Sequence, residues 1–240
     1  MSRCWSQAVY AALIPSLTLL ACRREDGRQP EVVLQAQEVS ADSNGTVVVT
    51  DEYEFALPER ENFLQRARES YLRHDMRMAA EHLRHAAQEL RREEGRASGD
   101  VRAALRASGR ELEQLAKDLD AGVRVSDEAV RHALARAHLV FVQAHRRTAM
   151  QERRLLEGKR GEQELRQLSA ALDGAAGHLE WAAEVAGRQA DAQIRDAVRQ
   201  THQLAGRLRN RETVPAGAVN DALTRVGAAA DRLLTTTGVR

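Results

Sequence analysis

From Glu61 onward, apolar residues return every third or fourth position, and this spacing constrains the fold more than any other feature. Met76, Ala79, Ala80, Leu83, Ala86, Ala87 and Leu90 form one stripe, because 3.6 residues per turn bring them to a single helix face. Such a face must be buried, so the chain has to stack helix upon helix. The residue supply agrees: 43% of residues are hydrophobic but only 3% aromatic, and the apolar load falls on Ala, Leu and Val. Alanine-lined helices pack closely, whereas sheets draw on β-branched and aromatic side chains. The expected class is all-α, an antiparallel helical bundle.

Helix boundaries are legible from breakers and caps. Residues 67–90 read as helix, short break near Asp75, helix. Gly95 and Gly99 punctuate, Asp100 suits a cap, and Val101, Leu105, Leu112, Leu115 and Leu119 continue the stripe to Gly122. Ser126-Asp127-Glu128 opens a longer helix, with acids where the helix dipole is positive. Its stripe is Val130, Leu134, Ala137, Phe141 and Ala144, and Gly158 and Gly161 mark its end. Pro215 fits the tolerated first turn of a last helix.

The pattern then repeats. Ala79-Ala80-Glu81-His82-Leu83 is matched by Ala175-Ala176-Gly177-His178-Leu179, and Ala86-Ala87 by Ala182-Ala183. Val101 to Arg106 matches Ile194 to Arg199, and Val125 to Leu134 matches Val214 to Leu223. The offsets are 96, 93 and 89 residues, in the same order along the chain. This predicts a tandem duplication of a roughly 90-residue three-helix unit, with unit 1 over 59–158 and unit 2 over 159–240.

The first 58 residues are of another kind. Arg3 precedes an apolar run from Ala8 to Leu20, and Arg23-Arg24 follow it. The layout is that of a secretory signal over 1–21, too short to remain as a spanning helix, which needs about 20 apolar residues. Leu19-Leu20-Ala21-Cys22 resembles the lipobox of bacterial lipoproteins. The resemblance implies cleavage between Ala21 and Cys22 by signal peptidase II, and diacylglyceryl and N-acyl chains on Cys22. Two or more acyl chains hold a protein at a membrane where one holds only marginally. Arg23 in place of Asp after the cysteine implies the periplasmic face of the outer membrane. Residues 22–58 then form a lipid anchor and tether, either flexible or a short β-hairpin, with Val32-Val33-Leu34 and residues 46–50 flanking Ser43-Asn44-Gly45. Residues 67–90, a short helix, a turn residue and Ala pairs, also resemble helical-hairpin proteins of the bacterial envelope, including the YfdX-like family, and imply no function.

Histidine offers the only tempting chemistry. His82 and His85 lie one turn apart, a spacing that could contribute to a zinc or copper site. His138 and His145 lie one heptad apart, about 10.5 Å along an axis, so one ion would need ligands from other helices. The duplicate retains His178 but has Trp181 where unit 1 has His85. The histidines are therefore expected to be helix-flank residues, His82 and His178 sharing a packing or hydrogen-bonding role, with a metal- or haem-binding or sensing bundle of the periplasm as the alternative. Arg146, Arg147, Arg153, Arg154, Lys159 and Arg160 form the densest basic run, able to meet anionic headgroups, although interleaved Glu152, Glu157, Glu162 and Glu164 suit a self-paired surface. A formal net charge of +1 gives no whole-molecule field for nucleic acid. Cys4 leaves with the signal and Cys22 is acylated, so no thiol chemistry remains. Glycine-flanked serine elbows, zinc-protease helices and glycine-rich phosphate loops are absent from the sequence. The expectation is a lipid-anchored, non-catalytic binding or scaffolding protein of the bacterial cell envelope. Its partners would be the membrane, an envelope protein or a second copy, and no cofactor is expected beyond the lipid.

Overall fold

Leu64, Ala67 and Ser70 are the buried positions of a ten-residue helix, three residues apart on one face turned inward. A computed structural model describes residues 62–158, 161–187, 192–215 and 217–236. Ala21, Cys22, the tether, Lys159 and Arg160 lie outside the described residues. Within them the chain is helical, with seven helices and no strand: α1 (Phe63–Leu72), α2 (Met76–Arg96), α3 (Gly99–Asp120), α4 (Asp127–Gly158), α5 (Glu162–Val185), α6 (Ala192–Arg209) and α7 (Ala218–Thr236). No described helix is long and apolar enough to cross a membrane.

The break near Asp75 falls where the sequence places it. His74 takes a positive φ of 60°, its N–H reaching Tyr71 O at 2.9 Å, and the Asp75 carboxylate accepts from Met78 N at 3.1 Å to cap α2. Ser126 Oγ accepts from Ala129 N at 3.2 Å and opens α4 as expected. Three details differ. Gly95 stays inside α2, because nothing lies within 4 Å of where its side chain would be and solvent tolerates the helix there. Asp100 sits in the first turn of α3, not at its cap, which is Ser98. Pro215 precedes α7 rather than starting it, its carbonyl accepting from Ala218 N at 3.0 Å.

Leu83, Leu90, Leu112, Leu134 and Phe141 build a core among α2, α3 and one face of α4, with α1 laid over it. Leu139 and Val142, on another face of α4, pack with Leu179, Ile194, Val226 and Leu233 of the last three helices. Ala149 joins Leu168, Leu172, Leu204 and Leu223 further along. One 32-residue helix, about 48 Å at 1.5 Å per residue, thus contributes to every buried cluster. Residues 53–240 form one compact unit around it.

Candidate functional site

Small residues decide where polar groups meet in this bundle. Residues 171–179 of α5 are all buried, and Gly174-Ala175-Ala176-Gly177 leave its surface nearly flat. Helix α4 approaches so closely that the His145 ring lies on Gly174, 2.8 Å from where a Cβ would stand. One turn further along α5, the His178 ring stacks on Phe141, with centroids 4.6 Å apart and planes within 10°. His138 completes the group: its Nδ1 is 2.9 Å from Nδ1 of His178, and both residues have no exposed surface. His145 also stacks with His178, with centroids 5.4 Å apart and planes within 20°.

Electrostatics keep these rings neutral. Burial, and secondly the Arg68 guanidinium, pushes His138 down to about 3. Burial alone lowers His145 to about 4. Burial, then His138 and His145, holds His178 well below the ordinary histidine value. A neutral pair with Nδ1 facing Nδ1 requires one N–H donor and one bare acceptor. His138 Nε2 has no hydrogen-bond partner among the described residues. Among the described residues, no group of three or more His, Cys, Asp or Glu side chains is placed to hold a metal.

A second buried polar group lies between α5 and α6. Asp173, 8% exposed, accepts from His202 Nδ1 at 3.0 Å and from the Arg209 guanidinium. Burial lowers His202, partly offset by Glu180. The nearby hydroxyls are committed to helix carbonyls: Ser169 donates to Ala205 O at 2.8 Å and Thr201 to Ala197 O at 2.7 Å. An Asp–His pair of this kind orients a ring, and here it ties two helices together. Outside the core, a groove of about 350 Å³ runs between α6 and α7, with Gln193 and Gln200 facing Arg225 and Arg232.

The residues singled out from sequence scatter. His138 and His145 come together, with His178 rather than with His82 or His85. His82 and His85 lie beside Phe63, at 6.2 and 4.8 Å, and His85 stacks on it. His82 is half-buried beside Phe63 at the edge of the bundle, whereas His178 is fully buried on Phe141 at its centre. His138 is interior because α4 is sandwiched, so positions off its first stripe are also covered, and His178 is interior because α5 is buried throughout 171–179. Of the basic run, the Arg146 guanidinium lies on Gly227 of α7, and Arg147 Nη1 donates to Ser98 O at 2.6 Å. Arg153 is half-buried and Arg154 exposed, so these side chains leave α4 in different directions. Sequence reasoning missed Asp173, His202 and the centrality of His178. The apolar and small residues on every side of 171–179 were the available signal. No family model, curated protein or solved structure matches this chain.

Proposed function

We propose that this chain is a lipid-anchored protein of the bacterial cell envelope, with a rigid helical body that binds or scaffolds a partner rather than catalysing a reaction. The observation that carries the reading is Leu19-Leu20-Ala21-Cys22 behind a short apolar run, the requirement for acylation at Cys22. The helical body supports it. Its buried His138 and His178, Ser169, Thr201 and Asp173 are spent on one another, on His202 and on helix carbonyls, an arrangement that stiffens a core. A helix of about 48 Å shared by every cluster acts as a strut. Partners of matching chemistry are an envelope protein, a second copy or anionic lipid.

A duplicated origin belongs to the same reading and draws support from burial. The three matched blocks fall on α2 and α5, α3 and α6, and α4 and α7. Ala79, Ala80, Leu83, Ala86 and Ala87 are buried, as are Ala175, Ala176, Leu179, Ala182 and Ala183. Buried hydroxyls also correspond, Ser108 with Thr201.

Metabolic labelling with a fatty acid tests the anchor: wild type incorporates label and Cys22→Ala does not. Continued labelling of the Cys22→Ala chain, or an unmodified amino terminus on the wild-type protein, overturns the proposal.

A further inference from the structure

We propose that the paired rings of His138 and His178 are an acid-released latch, which holds α5 against α4 at neutral pH and lets the two helices part when protons are taken up. The device goes beyond the envelope reading and does not depend on the anchor. Nδ1 of His138 lies 2.9 Å from Nδ1 of His178, and neither residue has exposed surface. Such a bond needs one nitrogen bare, so it exists only while at least one of the two rings is neutral. The packing around it is aromatic and close. His178 lies on Phe141 with centroids 4.6 Å apart, His145 stacks with His178 at 5.4 Å, and the His145 ring covers Gly174. A charged ring in that setting is stripped of the water that would solvate it.

The charges on the surrounding elements do not welcome a proton there. Helix α1 brings Arg68, a cation whose partner is Glu184 of α5 at 2.6 Å. On α5, Asp173 is taken by His202 of α6 and by Arg209, and Glu180 acts on His202. On α4, Arg136 pairs with Glu111 of α3 at 3.3 Å, and the Arg146 guanidinium lies on Gly227 of α7. Asp231 and Arg232 of α7 are exposed, and His82 of α2 lies beside Phe63 of α1. Burial, Arg68 and the effect of the rings on one another hold His138, His145 and His178 below the ordinary histidine range. Parted rings regain that range. The parted state therefore binds more protons, and the closed state keeps its advantage above about pH 6.5 and loses it as the pH falls. The rest of the bundle has closures of its own. Among its buried residues the first core draws on α5 only through Val185, and Leu168 and Leu172 hold α5 to Leu204 of α6 and Leu223 of α7. Neither cluster contains a side chain that titrates. Parting thus uncovers Leu139 and Val142 of α4 while the helices persist.

The test uses residues 53–240, a compact unit in which Trp181, three residues beyond His178 on α5, is the sole tryptophan. Between pH 7.5 and 4.5, Trp181 emission should move to longer wavelength in one reversible step. Hydrophobic-dye fluorescence should rise at least about threefold in that step, with far-ultraviolet circular dichroism constant to about a tenth. The step should take up about two protons per chain. His138→Leu/His178→Leu should abolish it, and His82→Gln/His85→Gln should leave its midpoint unchanged. Ring-nitrogen magnetic resonance of the wild type gives the same decision without a variant. A hydrogen-bonded Nδ1–H signal present at pH 7.5 should vanish together with the Trp181 shift. Helix content that falls along with the Trp181 signal overturns the proposal, because the acid effect is then global unfolding. So does a step that survives in the leucine pair, or one abolished by His202→Gln instead, which would assign it to the Asp173 group. An Nδ1–H signal that outlasts the Trp181 shift overturns it as well.

Discussion

At the scale of single residues, the contact of His145 with Gly174 sets what α5 tolerates. An alanine in a helix ordinarily stabilises by up to about 1 kcal/mol over glycine. At Gly174 the new methyl would press on a buried ring, so Gly174→Ala should destabilise by about 1–3 kcal/mol. Gly206 in α6 has open space where a Cβ would stand, and Gly206→Ala should stabilise by about 0.5–1 kcal/mol. Urea midpoints of the two variants check the contrast, and two shifts of equal sign would contradict the geometry. The same cluster makes the fold sensitive to acid. The folded rings of His138 and His145 titrate only near about 3 and about 4, while unfolded ones take up protons from about 6.5. The unfolded state therefore binds more protons as pH falls, and stability present above about pH 6.5 is lost progressively below it. The fully buried His138 and His178 together carry a limiting slope of about 3 kcal/mol per pH unit. Chemical denaturation at pH 7.5, 6 and 5 should show this decline, and replacing both rings by leucine should flatten it.

Among the elements, α4 and α7 show how helices of matched sequence pattern can be buried differently. Their inner faces correspond, with Val130, Ala133, Leu134, Ala137 and Phe141 buried as Val219, Ala222, Leu223, Val226 and Ala230 are. Their outer faces do not. Ala135, Leu139 and Val142 are buried on α4, whereas the equivalent Thr224, Ala228 and Asp231 are exposed on α7. Helix α7 carries a polar outer face, while α4 carries a second apolar stripe for its neighbours. Leu139→Ala should cost about 2–5 kcal/mol, and Ala228→Leu should stay within about 0.5 kcal/mol of wild type. Thermal unfolding of the pair decides, and equal effects would show that α4 is not sandwiched.

For the whole molecule, the residues of 59–158 and of 159–240 share their cores. Val185 of α5 joins the first core, Leu139 and Val142 of α4 join the second, and Arg68 of α1 pairs with Glu184 of α5 at 2.6 Å. A fragment of residues 53–158 would expose Leu139, Val142 and Ala149 to water and leave His138 without its partner. It should self-associate or lose fixed tertiary packing, with near-ultraviolet circular dichroism and size-exclusion chromatography as the measurements. A monomeric fragment with native near-ultraviolet signal would show that unit 1 stands alone.

The helical class, the α1–α2 break at Asp75 and the start of α4 at Ser126 were all legible in the residues. Each depends on period, cap or breaker within about one turn of the chain. The stripe of α2 was read in full for the same reason, its buried positions being those the spacing names. The Cys22 reading also rests on adjacent residues and needs no tertiary contact. The core site was legible only in part: His138, His145 and His178 were all named, but their meeting was not. That pairing spans forty positions and exists because Gly174 and Gly177 let two helices approach closely. Local pattern determines which face of a helix must be covered. What covers it, and therefore which polar side chains are stripped of water and made to share protons, is decided when distant helices pack.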